Sequence, residues 1–182
     1  MASIRPSELR DFNKNPKAVR KLIENALSLT RKKLPYKFGG NSPKSGGMDC
    51  SGTVQHTLLA SGFEGVPRMS HTIYNWAKET GKLRQLSGIY SLDHPAFQDL
   101  KPGDLLFWEG TYSTEERDPP ISHVMIYLGV SKKDGQHVIY GASSGRRYRG
   151  KRIHGVSVFD FKLPSKESKA KFVGYGPIPG LE

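Results

Sequence analysis

The sequence predicts an α+β domain: N-terminal helices packed on a mostly antiparallel sheet. Two observations carry this expectation. Val19, Leu22, Ile23, Ala26 and Leu27 recur at helical spacing near the N-terminus. The second half instead holds short apolar runs set off by turn residues, such as Leu105-Leu106-Phe107-Trp108 after Lys101-Pro102-Gly103-Asp104. Helices that precede the strands, rather than alternate with them, argue for segregated layers. At 182 residues the chain is long enough for one domain with a sizeable core.

The elements follow in order. Asn15-Pro16 reads as a helix cap and a first-turn proline, with Lys32 and Lys33 suited to the negative end of that helix. Residues 34–47, rich in Gly, Pro, Asn and Ser, read as a loop. A second helix is expected over 52–60, with Val54, Leu58 and Leu59 inward and Gly62 as its stop. A third helix is expected over 70–80, and residues 81–100 have no clear pattern. Strands are expected at 105–108, 123–129, 136–142, 156–161 and 172–175. Residues 1–15 read as a loose arm.

The net charge is +11, with basic residues concentrated in 5–33 and 132–152. Such a balance suits an anionic partner or simply a solvated surface. No zinc-finger spacing and no aromatic RNA-binding strand motif is present, so nucleic acid is not the expected partner. No apolar run is long enough to span a membrane, and residues 1–15 lack a signal-peptide core.

Cys50 is the only cysteine, so it can neither close a disulfide within the chain nor join a thiolate zinc site. It is either an inert buried thiol or a nucleophile. Its place at a helix start favours thiolate through the helix dipole. A cysteine nucleophile needs a base, and six histidines are available: His56, His71, His94, His123, His137 and His154. His123 stands out because it opens an apolar strand straight after a polar loop.

Five motifs resemble the NlpC/P60 family of cell-wall cysteine peptidases, in the family's order and separations. They are Tyr36-x-x-Gly39-Gly40, Asp49-Cys50-Ser51-Gly52, Pro67-Arg68-x-Ser70, Lys101-Pro102-Gly103-Asp104-Leu105-Leu106-Phe107 and His123-Val124-x-Ile126-Tyr127-Leu128-Gly129. The resemblance covers about residues 34–161. It implies a papain-like core in residues 34–182, as a single catalytic unit behind an N-terminal helical extension over 1–33.

The resemblance also implies Cys50 as nucleophile and His123 as general base. The bond cut would be the amide between the γ-carboxyl of D-glutamate and a diamino acid in peptidoglycan stem peptides. Tyr36, Asp49, Ser51, Arg68 and Ser70 would contact substrate, Asp49 and Ser51 holding the free amino end of the stem. No metal or organic cofactor is expected. The expected partner is a stem peptide or muropeptide, with the basic patches free to meet an anionic wall polymer, and a monomer is expected. Action in the bacterial periplasm or wall follows from that substrate, while the export route is open.

The third catalytic residue departs from the family's pattern. Aligning Ala142-Ser143-Ser144-Gly145 puts Gly141 at its place, and glycine cannot orient an imidazole. His137 is the assigned substitute, although four residues of strand span about 13 Å, so a bulge or shifted register is needed. His154, a backbone carbonyl or water are the alternatives. The family's glutamine after Arg68-x-Ser70 is also not evident, with Ile73 or Tyr74 near its place. Competing functions are a Cys-dependent acyl or amide transferase, a degenerate wall-peptide-binding protein, and an anion-binding domain with a structural Cys50.

Overall fold

The computed structural model describes residues 1–114 and 116–181. Among the described residues there are three α-helices: α1 (Lys17–Thr30), α2 (Cys50–Ala60) and α3 (Ser70–Lys78). Short strands β1 (Asn41–Ser42) and β2 (Gly47–Met48) form a hairpin just before α2. The main sheet contains β3 (Arg84–Gln85), β4 (Leu105–Glu109), β5 (Ile121–Val130) and β6 (His137–Ser143). A small β7–β8 hairpin (Arg147–Tyr148, Lys151–Arg152) precedes its last strands, β9 (Gly155–Asp160) and β10 (Lys171–Gly176). The order across the sheet is β3-β10-β4-β5-β6-β9, and every pairing is antiparallel. The α+β expectation therefore holds.

Both sheet faces are covered, which explains why β4 is apolar without alternation. Phe107 faces α3, where Tyr74 meets it edge-on at 5.1 Å. Trp108 faces the other way, into Phe161 and Phe172 at 6.1 and 5.1 Å. Phe97, from the segment without a clear sequence pattern, completes that aromatic layer by stacking on Tyr175. On the helical face a hydroxyl pair, Thr57 with Tyr140 at 2.7 Å, ties α2 to β6.

Helix α2 ends as Gly62 predicts. Gly62 has φ +97°, and the amides of Gly62 and Phe63 donate to the carbonyls of Leu59 and Leu58, a Schellman closure. Val54 and Leu58 are buried as expected, but Leu59 is 50% exposed. Thr53 and Thr57 take the remaining inward positions, because the helix packs through small residues there.

Two other expectations are corrected. Residues 1–15 are no loose arm: Ile4 and Leu9 are buried, and the Ala2 amide donates to Ser157 Oγ on β9 at 2.7 Å. Isolated apolar anchors without periodicity hid this packing from the sequence. Asn15 is not the cap of α1. Pro16 occupies that position, and the Asn15 side chain turns back to the Phe12 carbonyl.

Strand β5 also begins two residues earlier than expected, with Ile121 opposite Glu109. His123 therefore lies inside the strand, opposite Trp108, and not at an open strand start. The small Ser122 makes this extension feasible, since its hydroxyl is covered by Thr111.

Asp104, in the turn before β4, accepts the Lys101 amide, yet burial pushes its carboxyl from 3.8 up to about 6. Because the folded state holds this proton more tightly than the unfolded chain, stability should fall as pH rises from about 4 to about 6. Asp104→Asn is therefore expected to raise stability by roughly 1–3 kcal/mol near pH 7 and to change little near pH 3. Urea midpoints at the two pH values check this.

Candidate active site

The start of α2 is built by one carboxylate. Asp49 is extended and caps the helix, Oδ1 accepting the Gly52 amide at 2.7 Å. Its Oδ2 accepts the Gly39 amide at 2.9 Å, which draws the glycine loop against the helix. Arg68 then binds both oxygens, at 3.1 and 2.8 Å, and donates to Ser51 Oγ at 2.9 Å. Gly52 permits this closeness: a Cβ there would lie 2.2 Å from the Gly40 carbonyl oxygen. Two residues after Arg68, Ser70 Oγ donates to the Ile121 carbonyl, two residues before His123. The Arg68-x-Ser70 segment thus links the cysteine helix to the histidine strand.

Cys50 opens α2, and its thiol lies 3.9 Å from the Ser122 carbonyl oxygen. The Val124 amide also reaches the sulfur, so it rests against β5 on both sides of His123. Burial, aided by the negative Asp49, pushes the thiol up to about 11. This corrects the expectation of a dipole-favoured thiolate. A helix terminus is worth up to ~2 kcal/mol, less than the cost of burying an unpaired thiolate here.

His123 is also neutral at rest. Its ring packs on Trp108 with centroids 5.6 Å apart, and burial holds it well below its ordinary range, with the Arg146 charge adding to the effect. Its Nε2 is buried without a hydrogen-bond partner. Tyr36 stands at the mouth, edge-on to His154 at 6.2 Å. Burial and the nearby Asp49 carboxylate keep its hydroxyl protonated.

The structure brings Tyr36, Asp49, Cys50, Ser51, Arg68 and His123 together, but not His137. That residue pairs with Val130, seven residues from His123 and about 23 Å along the strand. Its Nδ1 instead lies 2.7 Å from the Tyr127 hydroxyl. Gly141 does sit on the His123 side of β6, but Met125 fills the space over it, with Cε 3.0 Å from where a Cβ would be. Ser70 is spent on the Ile121 carbonyl, and Ile73 and Tyr74 are core residues.

The sequence reading missed Arg146, Trp108 and Tyr112. With His123, Tyr36 and Ser143 they line a cavity of about 740 Å³. Arg146 was submerged in a basic run that reads as ordinary surface. Its position directly after Ala142-Ser143-Ser144-Gly145 was the one available signal. Among the described residues, no cluster of His, Cys, Asp and Glu is suited to a metal ion, and no helix is long and apolar enough to cross a membrane.

A sequence profile of the NlpC/P60 family matches residues 33–154, about two thirds of the chain. The chain belongs to the NlpC/P60 family. It is 33% identical over 99 residues to a gamma-DL-glutamyl hydrolase of Bacillus subtilis, a match covering 54% of this chain and 19% of that protein. It is 32% identical over 95 residues to a bifunctional muramidase/DL-endopeptidase of the same organism, covering 52% and 22%. The chain thus matches only about a fifth of the length of these relatives. A solved structure described as similar to a lipoprotein of the NLP/P60 family, from Staphylococcus aureus, shares the fold. Its TM-score is 0.55 at 22% identity, over 90% of this chain and 42% of that one.

Asp49→Ala should cost about 2–4 kcal/mol, because the cap is lost and Arg68 is left without its counter-charge. Ser51→Ala should cost under about 1 kcal/mol. Denaturant titration compares the two. The rate of Cys50 alkylation by iodoacetamide should climb about tenfold per pH unit between pH 7 and 10. A plateau near neutral pH would contradict a thiol pushed up by burial.

Proposed function

We propose that this protein is a peptidoglycan hydrolase that cuts the γ-D-glutamyl–diamino acid amide of stem peptides through a thioester on Cys50. The carrying observation is the buried Cys50 thiol at the start of α2, held against the backbone on both sides of His123. The names of the two Bacillus relatives support the substrate class. The charge of +11 supports attraction to an anionic wall polymer.

In this reading the thiol proton passes to His123 as sulfur attacks the amide carbon, so the charged pair forms only during reaction. The Cys50 amide at the helix start and the Tyr36 hydroxyl donate to the oxyanion. His123 then protonates the leaving amine, and water, with His123 as base, hydrolyses the thioester. Asp49 already serves Gly39, Gly52 and Arg68. A substrate ammonium would therefore share its carboxylate with Arg68, and the first task of Asp49 is to set the helix start.

The unpartnered His123 Nε2 is the one observation that favours a protein that holds wall peptides without cutting them. Mass spectrometry of stem peptides separates the readings. Wild type should cut after γ-D-glutamate, and Cys50→Ala and His123→Ala should lose at least about 10²–10⁴-fold. His137→Ala should stay within about threefold of wild type, because its ring serves Tyr127. Peptide binding without cleavage would support the holding function, and a new amide or ester product would support a transferase.

A further inference from the structure

A cysteine–histidine pair is ordinarily completed by a third group that accepts a hydrogen bond from the imidazole. Among the described residues none does so here. Gly141 stands at the expected place, Met125 covers it, and His123 Nε2 is left buried and unpartnered. A buried polar atom of this kind has a cost that a ligand can relieve.

Arg146 enters the same space from the loop after β6. Its guanidinium lies over the Trp108 ring, 4.2 Å from the centroid, and His123 packs on that same ring. Arg5, Arg68, Arg84 and Arg149 each pair with a carboxylate. Of the arginines that do not, Arg146 is the one that lines this cavity, and among the described residues its guanidinium donates no hydrogen bond to protein. Burial lowers it to about 10. Arg146 and His123 line the cavity together.

We propose that a carboxylate of the substrate binds between Arg146 and His123 Nε2, so that the substrate supplies the third member of the catalytic constellation. The guanidinium pairs with one carboxylate oxygen, and the Nε2–H donates to the other. The second ring nitrogen remains free to take the Cys50 proton. No bond to the carboxylate is made or broken. The titratable and charged groups around the imidazole are the neutral Cys50 thiol on α2 and the Arg146 guanidinium. Burial and the Arg146 charge both oppose the imidazolium, and a bound carboxylate offsets them. The base is then competent only when an anionic substrate is in place.

This inference rests on the hydrolase reading. Within it, the carboxylate has two sources: the α-carboxylate of the γ-linked glutamyl residue, or the carboxylate of the diamino acid on the leaving side. Three stem peptides distinguish them: one with both groups free, one amidated at the first, and one amidated at the second. For wild type, kcat/KM should fall roughly 10- to 100-fold for one amidated peptide and stay near unchanged for the other. Arg146→Gln should lose a similar factor on the free peptide and no longer discriminate among the three, while Arg146→Lys recovers part of the selectivity. Equal loss on all three peptides, or none, would overturn the proposal.

A second measurement does not need turnover. In Cys50→Ala protein, the His123 ring is titrated by NMR with and without the free peptide. The peptide should raise the His123 pKa by about one unit or more, the amidated peptide should not, and Arg146→Gln should abolish the rise. No rise with the free peptide overturns the carboxylate site. If wild type cuts none of the peptides, the hydrolase reading fails, and this titration alone decides the site.

Discussion

The carboxylate of Asp49 organises everything around Cys50. It ends the preceding extended segment, caps α2, receives the glycine loop and anchors Arg68. Each interaction alone is modest, but they converge on two oxygens that are nearly buried, where charge-assisted hydrogen bonds are strongest. The result is a helix start that cannot drift relative to the loop carrying Tyr36. Three residues further on from Asp49, Gly52 must lack a side chain for the same packing to close.

The second constraint is the sheet. His123 is fixed because β5 is central, with β4 and β6 on its two sides. The residues between the two halves of the site then matter more than their polarity suggests. Arg68 reaches back to Asp49, and Ser70 reaches forward to Ile121, so one short segment sets the distance between the thiol and the imidazole. This is positioning by rigid elements, which catalytic geometry requires.

Burial gives this site a particular electrostatic character. The same dry packing that orders Cys50 and His123 disfavours their charged forms. A helix dipole is too weak to reverse this, and the nearest free positive charge, Arg146, stabilises the thiolate while opposing the imidazolium. The resting pair is neutral. Reactivity therefore depends on what enters the cavity, and an anion beside Arg146 is the ingredient that the electrostatics lack.

Much of this protein is legible in one dimension. The helical period of Val19 to Leu27, the Gly62 stop and the apolar runs of β4 and β5 are local signals, and local backbone physics acts on them directly. The motifs around Cys50 and His123 drew attention to both residues through a family resemblance, and the fold sets the Cys50 thiol against the backbone on both sides of His123. Tertiary structure alone decided the rest. His137 lies on the same strand as Gly141, but the antiparallel register carries it to the far end of β5. Leu9 is buried where it bridges to Ser131, and Ala2 bonds Ser157, partners more than a hundred residues away. Arg146 looks like one cation in a basic run until β6 sets its guanidinium on Trp108. That Cys50 rests as a thiol and that Arg146 shares a cavity with His123 are matters of burial, and burial is a sum over the whole fold that no local pattern contains.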